Sequence, residues 1–288
     1  MLKVVRAYRY VRGVARGVRR GDTFPPAGRV RAAEAPGGTT RTLHRHGRAE
    51  LDHVEISEHI VPIAGLTRPV DVLHLTDIHL RTRDAWLERL CDVVSAERPD
   101  LVALTGDVVT RGWEADAVDR FLGALPSAPL GKWAVMGNWE YWGGAPPEMW
   151  APVLNRHGVE LLNDRVVALD GLDLAGTDDL LAGDPDLDGV FAALSGRPTL
   201  LLTHSPGIFP RIARRPVSVV LAGHTHGGQV RIPLLGPFFL PRGSGIYPWG
   251  WYEMDGVWMF VSRGLGWSVA PVRWRAAPEI ARIKLVPG

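Results

Sequence analysis

The sequence VDVLHLTDIH, residues 70–79, joins a short apolar run to an abrupt polar ending. Val70–Leu75 has the length of one strand, and Asp77 and His79 follow it directly. An apolar run this short, bounded by polar residues, predicts a buried β-strand whose carboxyl end carries a carboxylate and an imidazole.

The same pattern recurs along the chain. Apolar runs of strand length lie at Val70–Leu75, Leu101–Leu104, Trp133–Met136, Leu172–Ala175, Thr199–Leu202, Val217–Leu221 and Val257–Val261. Helical stretches at Asp84–Glu97, with Asp84 as N-cap, and at Glu114–Leu125 separate the early runs. Strands that alternate with helices predict an α/β fold with parallel strands, and the helix-poor later part predicts a mixed sheet.

Five of these strands end in residues that can bind a metal. The candidate ligands are Asp77, His79, Asp107, Asn138, His204, His224 and His226. In open α/β sheets, ligands bind at the carboxyl ends of the strands. Carboxylates mixed with imidazoles suit Mn, Fe, Zn or Co better than Mg alone, and so many polar groups are too costly to bury without cations.

Motifs in this order resemble the calcineurin-like metallophosphoesterases. The matching residues are TDIH at 76–79, GD at 106–107, GN at 137–138 and GHTH at 223–226, with His204 between the last two. GTDD at 176–179, GGQVRIP at 227–233 and SRGLG at 262–266 resemble the bacterial membrane-associated phosphodiesterase branch, which includes relatives acting on UDP-2,3-diacylglucosamine. The resemblance covers roughly residues 53–286.

The resemblance implies a metallo-dependent phosphatase-like fold, a four-layer αββα sandwich of mixed sheets that some schemes class as α+β. It also implies two divalent metal ions and hydrolysis without a covalent enzyme intermediate. The first metal would be held by Asp77, His79 and His226, and the second by Asn138, His204 and His224. Asp107 would bridge the two ions. The predicted catalytic residues are Asp107, Asn138, His204 and Trp139.

Trp139 departs from the family pattern, which usually has histidine after the Gly-Asn pair. Indole offers one N–H donor and cannot shuttle a proton. Two interpretations stay open. Either the enzyme favours leaving groups that need little protonation, or another residue, with Glu140 the nearest, replaces the general acid. A metal-bearing phosphate-binding protein with little turnover is the alternative to an enzyme.

Three further features each have two interpretations. Arg263 contacts a substrate phosphate, or it forms an ordinary surface ion pair. Asp178 and Asp179 orient metal ligands, or they cap a loop. The apolar, Pro-rich residues 232–241, together with Trp249 and Trp251, form a lip that meets lipid or an acyl chain, or they form a packed loop.

The chain has 288 residues with a formal net charge of +2, but its charge is uneven. Residues 1–50 contain 12 Lys and Arg against 3 Asp and Glu. Residues 2–20 place Arg and Lys on one side of a predicted helix and Val and Ala on the other, which is typical of a helix on an anionic membrane surface. A helix docked on its own domain is the alternative. A mitochondrial presequence is disfavoured by the absence of Ser from residues 1–50.

We therefore predict a basic amphipathic helix over 1–20, a linker over 21–51 and a metallophosphoesterase domain over 52–288. No apolar run reaches 18 residues, so no transmembrane helix is expected. Cys91 is the only cysteine and is predicted to be a core thiol, which fits a reducing compartment. The remaining histidines of the N-terminal region are predicted to lie at the surface: His44, His46, His53 and His59.

The predicted function is a hydrolase of phosphodiesters or diphosphates, lipid-linked or nucleotide-derived. We expect a cytoplasmic protein bound peripherally to an anionic membrane through residues 2–20. Nucleic acid is a poor candidate partner, because the basic face lacks interleaved aromatic residues and the rest of the chain is acidic.

Overall fold

The computed structural model describes residues 31–33, 41–43 and 54–288. Its main feature is a pair of seven-stranded mixed sheets. The first sheet has the strand order β2 (Arg41–Leu43), β3 (Glu55–Ile63), β16 (Glu279–Pro287), β4 (Val70–Leu75), β5 (Leu101–Thr105), β6 (Lys132–Val135) and β7 (Val159–Leu161). Strands β4 to β7 are parallel, and β16 pairs antiparallel with β4 and parallel with β3.

The second sheet repeats this plan. Its strand order is β1 (Arg31–Ala33), β14 (Gly250–Met254), β15 (Val257–Val261), β11 (Val219–Ala222), β10 (Thr199–Leu202), β9 (Leu172–Gly176) and β8 (Arg165–Leu169). Strands β9, β10, β11 and β15 are parallel, while β8, β14 and β1 pair antiparallel at the two edges. A small hairpin, β12 (Arg231–Ile232) and β13 (Gly236–Pro237), stands apart from both sheets.

Helices cover the outer face of each sheet. They are α1 (Ala85–Ser95), α2 (Ala115–Gly123), α3 (Asn138–Trp142), α4 (Pro147–Asn155), α5 (Leu187–Ala192) and α6 (Phe209–Ile212). One core packs α1, α2 and α4 on the first sheet, a second lies between the sheets, and a third packs α5 and α6 on the second sheet. Three cores between four layers make an αββα sandwich.

The strand alternation explains this layering. In β4, Leu73 and Leu75 face the helices, while Val70 and Val72 face the other sheet. Apolar residues on both faces of a strand are the signature of a parallel sheet buried on both sides. The α/β fold class, the mixed sheets and the αββα arrangement are therefore confirmed.

The predicted elements agree with the observed ones to within two residues at each end. Strands β4, β10 and β15 have the predicted bounds. Asp84 caps α1, because its carboxylate accepts a hydrogen bond from the Leu87 N–H at 2.9 Å. Cys91 lies on the buried face of α1, as predicted.

Two predictions about the N-terminal region need correction. Within the predicted linker, Arg31–Ala33 and Arg41–Leu43 form edge strands that pair with β14 and β3. Three-residue strands are too short to leave a periodic signal in the sequence. His59 is buried rather than at the surface, because it lies on the face of β3 that meets Trp251 and Phe260.

The predicted helix over residues 2–20 lies outside the described residues, as do His44, His46 and His53. In the part of the chain that is described, no helix has both the length and the hydropathy that crossing a bilayer requires.

Candidate metal centre

The loops that follow β4 and β5 are bound to each other through their backbones. The Asp77 N–H donates to the Gly106 carbonyl at 3.1 Å, and the His79 N–H donates to the Asp107 carbonyl at 3.0 Å. Asp77, His79 and Asp107 all have positive φ angles near 53°. This backbone conformation is uncommon for residues other than glycine. It occurs at the three predicted ligands of these two loops, while the loops stay joined by backbone hydrogen bonds.

Asp77, His79 and His226 form the first group of converging side chains. The Nε2 atoms of His79 and His226 are 2.9 Å apart, and the His226 Nε2 lies 3.5 Å from Asp77 Oδ1. All three residues are buried.

Asp107, His204 and His224 form the second group. His204 Nε2 lies 3.2 Å from Asp107 Oδ2 and 3.1 Å from His224 Nδ1. The same Asp107 oxygen lies 3.7 Å from His79 Nε2, so this carboxylate stands between the two groups, as the bridging role requires.

Asn138 is the first residue of α3, directly before Trp139. Its neighbour Trp139 donates its backbone N–H to Asp107 Oδ1 at 2.8 Å, which places the two ligand loops side by side. The Asn138 amide oxygen is buried and has no hydrogen-bond partner among the described residues. A buried oxygen without a donor is costly, and a cation would satisfy it.

The hydrogen bonds of the second group show that it fits a cation. His204 Nδ1 faces the Thr105 carbonyl at 2.7 Å, and His224 Nε2 faces the Arg242 carbonyl at 2.6 Å. A carbonyl only accepts, so each of these nitrogens carries the proton. The opposite nitrogens, His204 Nε2 and His224 Nδ1, face each other at 3.1 Å and are the atoms of the neutral rings that can bind a cation.

The electrostatics of the centre lead to the same conclusion. Burial lowers the pKa of His224 to about 3, which keeps its imidazole neutral and able to bind a metal. Burial raises the pKa of Asp107 to about 7, although the nearby His204 opposes this shift. Burial alone would lower the pKa of His204, but the Asp107 and Asp77 carboxylates raise it well above its ordinary value. The residues therefore fit a pair of divalent cations.

Residues 70–228 match the family described as calcineurin-like phosphoesterase. The chain belongs to the calcineurin-like phosphoesterase family. It is 30% identical over 243 residues to the metallophosphoesterase YkuE of Bacillus subtilis, covering 79% of this chain and 84% of that protein. It is also 30% identical over 229 residues to the phosphodiesterase YaeI of Escherichia coli, covering 76% and 83%.

A dimetal phosphatase from Danio rerio is similar in structure, with a TM-score of 0.41 and 11% identity, and the match covers 69% of this chain and 88% of that one. Family membership and the two ligand groups make the chain a metal-dependent phosphoester hydrolase.

Glu140 of this phosphoesterase is not a substitute general acid. Its Oε2 accepts the N–H groups of Asp107 and Gly137 at 2.9 and 2.8 Å, and its Oε1 accepts those of Val108 and Val109 at 2.6 and 3.2 Å. The carboxylate is fully buried and points into the backbone of the Asp107 loop. Glu140 is therefore a positioning residue, and the sequence pattern gave no sign of this because its partners are backbone groups.

Trp139 lies at the phosphoesterase site, as the sequence analysis placed it. Its indole packs edge-on against the His79 ring, with the ring centroids 5.8 Å apart. It also packs against Trp142, at 5.6 Å. The position that usually carries a proton-transferring histidine is thus occupied by a partly exposed apolar ring.

The prediction that Arg263 contacts substrate is corrected. Its guanidinium is bound by two carboxylates, Glu55 at 2.8 Å and Glu279 at 3.1 Å, in a largely buried ion pair. Arg263 does form an ion pair, but the pair is largely buried and not at the surface, because both carboxylates lie on the adjacent strands β3 and β16.

Arg273 is a site residue that the sequence analysis missed. Its Nη2 lies 3.1 Å from His226 Nδ1, and its other nitrogens donate to the carbonyls of Gly266, Arg263 and Ala276. Arginine is rarely buried, so a single sequence favours a surface position for it. Burial lowers the pKa of Arg273 to about 9.

Asp178 and Asp179 cap loops. Asp179 accepts the N–H groups of Leu181 and Ala182, and Asp178 accepts the Tyr141 hydroxyl and the Asp184 N–H. These hydrogen bonds go to loop residues and not to the predicted metal ligands, which agrees with the capping interpretation.

Residues 232–241, which we call the apolar lip, are not a packed loop. The side chains of Leu234, Leu235, Phe238 and Phe239 are exposed. Trp249 stacks under the Arg231 guanidinium at 3.9 Å. Trp251 does not belong to the lip, because it is buried between the two sheets.

Proposed function

We propose that this chain is a dinuclear-metal-dependent phosphodiesterase or pyrophosphatase that works at an anionic membrane surface on a lipid-linked or nucleotide diphosphate substrate. The position of Asp107 is the main support for a centre with two metal ions. Its Oδ2 lies within 3.7 Å of His79 and 3.2 Å of His204, so one carboxylate serves both ligand groups.

Asp77, His79 and His226 would hold one ion, Asn138, His204 and His224 the other, and Asp107 both. The donor set favours Mn, Fe, Zn or Co. When bound, such a pair supplies Lewis acidity to the phosphoryl oxygens and lowers the pKa of water. The protein holds its ligands in place through the paired backbones of the two loops.

Trp139 determines which leaving groups we expect the enzyme to accept. Neither the indole nor Glu140, whose carboxylate is occupied by backbone donors, can protonate a departing oxygen. A nucleotide phosphate or an aryl oxide leaves without a proton, whereas an alkoxide does not. Diphosphates and activated diesters are therefore the proposed substrates.

Two features support the membrane part of the proposal. The first is the basic, amphipathic pattern of residues 2–20. The second is the apolar lip, which begins six residues after His226 in the sequence.

Hydrolysis of bis-p-nitrophenyl phosphate tests the enzyme proposal. We expect turnover by Mn-loaded protein, loss of turnover on chelation, and loss of both turnover and bound metal in Asp107→Asn. Asp92→Asn is the matched control, because Asp92 is 81% exposed on α1. Tight binding of inorganic phosphate without turnover would instead support a phosphate-binding protein.

Trp139→His tests the leaving-group argument. We expect the variant to hydrolyse an alkyl monoester about 10- to 100-fold faster than the parent, at the lower end of the gain from a general acid. The rate on bis-p-nitrophenyl phosphate should change little. Comparable parental rates on the two ester types would refute the leaving-group argument.

A further inference from the structure

The apolar lip exposes four large apolar side chains within residues 234–239. The exposed fractions are 106% for Leu234, 79% for Leu235, 74% for Phe238 and 52% for Phe239. Leu234 has a φ of 68°, which is unusual for a bulky residue and projects it from the tip of the hairpin. Single exposed apolar residues are common in proteins, but a contiguous set marks an interaction surface.

A second segment extends this surface. Trp274 pairs with Val230 next to β12, and the Arg231 N–H donates to the Trp274 carbonyl at 3.0 Å. On the other side, the Phe238 N–H donates to the Val230 carbonyl. Trp274 and its neighbour Val272 are also exposed, so the lip and this segment share one backbone hydrogen-bond network.

The chain segments that form this surface carry arginines but no carboxylates. Residues 223–252 and 256–278 contain no Asp or Glu. Arg242 and Arg275 are exposed at the end of the lip and beside Trp274. Apolar side chains accompanied by exposed arginines complement an anionic lipid surface, which takes apolar side chains below its headgroups and attracts cations at its phosphates.

The end of the lip and the segment that contains Trp274 both contact the metal centre. The Arg242 carbonyl, just after the lip, accepts the proton of His224 Nε2 at 2.6 Å. Arg273, next to Trp274 in the chain, lies 3.1 Å from His226. A surface that held the lip would therefore lie next to the residues proposed to hold the metals.

We propose that the apolar lip inserts into an anionic lipid surface and brings headgroup phosphates to the metal centre. The delivery of headgroup phosphates to the metal centre rests on the proposed function, but lipid binding itself does not require turnover. A protein that hydrolyses phosphoesters but does not bind vesicles would therefore contradict only this inference. A protein that binds vesicles but has no turnover would contradict only the proposed function.

Vesicle flotation of the Mn-loaded full chain tests the proposal. The double variant Leu234→Asn, Leu235→Ser removes the two most exposed apolar groups, and Asn tolerates the left-handed backbone at position 234. Met149→Ser is the control, because Met149 is 59% exposed on α4. Metal content and circular dichroism check that each variant is folded.

We expect the parent and Met149→Ser to float with vesicles of phosphatidylcholine and phosphatidylglycerol, and less with phosphatidylcholine alone. The double variant should bind at least about tenfold more weakly, since full burial of one leucine alone contributes more than that factor. Arg275→Gln should weaken binding to the anionic vesicles only.

Three results would overturn the proposal. One is a parent protein that does not float. Another is a double variant that floats like the parent, with binding lost only on deletion of residues 2–20. The third is a parent protein that is a dimer and a double variant that is a monomer, with the same flotation for both. The lip would then bind a second copy of the chain and not a lipid surface.

Discussion

Replacing Glu140 with glutamine should loosen the loop that carries Asp107. The Glu140 carboxylate accepts four backbone N–H groups, two on each oxygen. Glutamine has the same shape but keeps only one accepting oxygen, and its NH₂ group must face two of the four donors. The change thus removes hydrogen bonds without opening a cavity.

The magnitude follows from those two donors. A buried donor left without a partner costs about 1–3 kcal/mol, and hydrogen bonds to charged groups lie at the upper end of the range. Whichever way the amide turns, two N–H groups lose their acceptor. Relief of the burial penalty that raises the pKa of Glu140 offsets part of this loss. We therefore expect Glu140→Gln to lower the free energy of unfolding by about 2–5 kcal/mol.

Urea unfolding measures this loss, and metal analysis of the folded protein measures its effect on the centre. Glu148→Gln, at an exposed position of α4, is the control and should change the stability by less than about 0.5 kcal/mol. The variant should bind metal more weakly, because the Asp107 loop is no longer fixed. A loss in turnover of about 10²–10⁴ with unchanged stability and metal content would refute this reasoning, since that is the behaviour of a general acid.

Three other substitutions test the support of the ligand loops. Gly137→Ala should abolish metal binding as measured by metal analysis, because an added Cβ collides with the Asp107 carboxylate and backbone. Arg273→Gln should reduce metal affinity by about 10–100-fold in a chelator competition, because the guanidinium holds the carbonyls of Gly266, Arg263 and Ala276 beside His226. Arg263→Met should destabilise the fold by about 3–5 kcal/mol in urea unfolding, because it removes the guanidinium that pairs with Glu55 and with the buried Glu279. Burial alone would raise the pKa of Glu279, but Arg263 lowers it to about 2. The stabilisation that this ion pair gives the parent protein should therefore be lost only as the pH falls from 4.5 toward 2. The Arg263→Met variant should lack this stabilisation and its pH dependence.

The parts of the structure that local patterns specify were predictable. β4, β10 and β15 were predicted with their observed bounds, because each is an apolar run that ends at a polar residue. Six of the seven predicted ligands converge into two groups for the same reason, and the oxygen of the seventh, Asn138, is buried without a hydrogen-bond partner among the described residues. Parallel neighbours in a sheet bring their carboxyl ends to one edge whatever the intervening sequence.

The parts that depend on distant partners were not predictable. β16, the last strand, lies between β3 and β4 near the middle of the first sheet, and no pattern at residues 279–287 specifies that place. His59 and Trp251 are 192 residues apart, yet each buries the other between the sheets. The role of Glu140 depends on backbone donors, and backbone donors are the same in every sequence.

The ligand residues themselves point to how the centre is kept ready for metal. Asp77, His79, Asp107, His224 and His226 all have positive φ angles. Each such angle costs a residue with a side chain about 1 kcal/mol or more, so five of them form a strained arrangement that must be held by its surroundings. The paired loops, the Glu140 carboxylate and the buried Arg273 supply that support from protein groups alone. These protein groups hold the ligand loops, so the fold itself contributes to the geometry of the proposed metal centre.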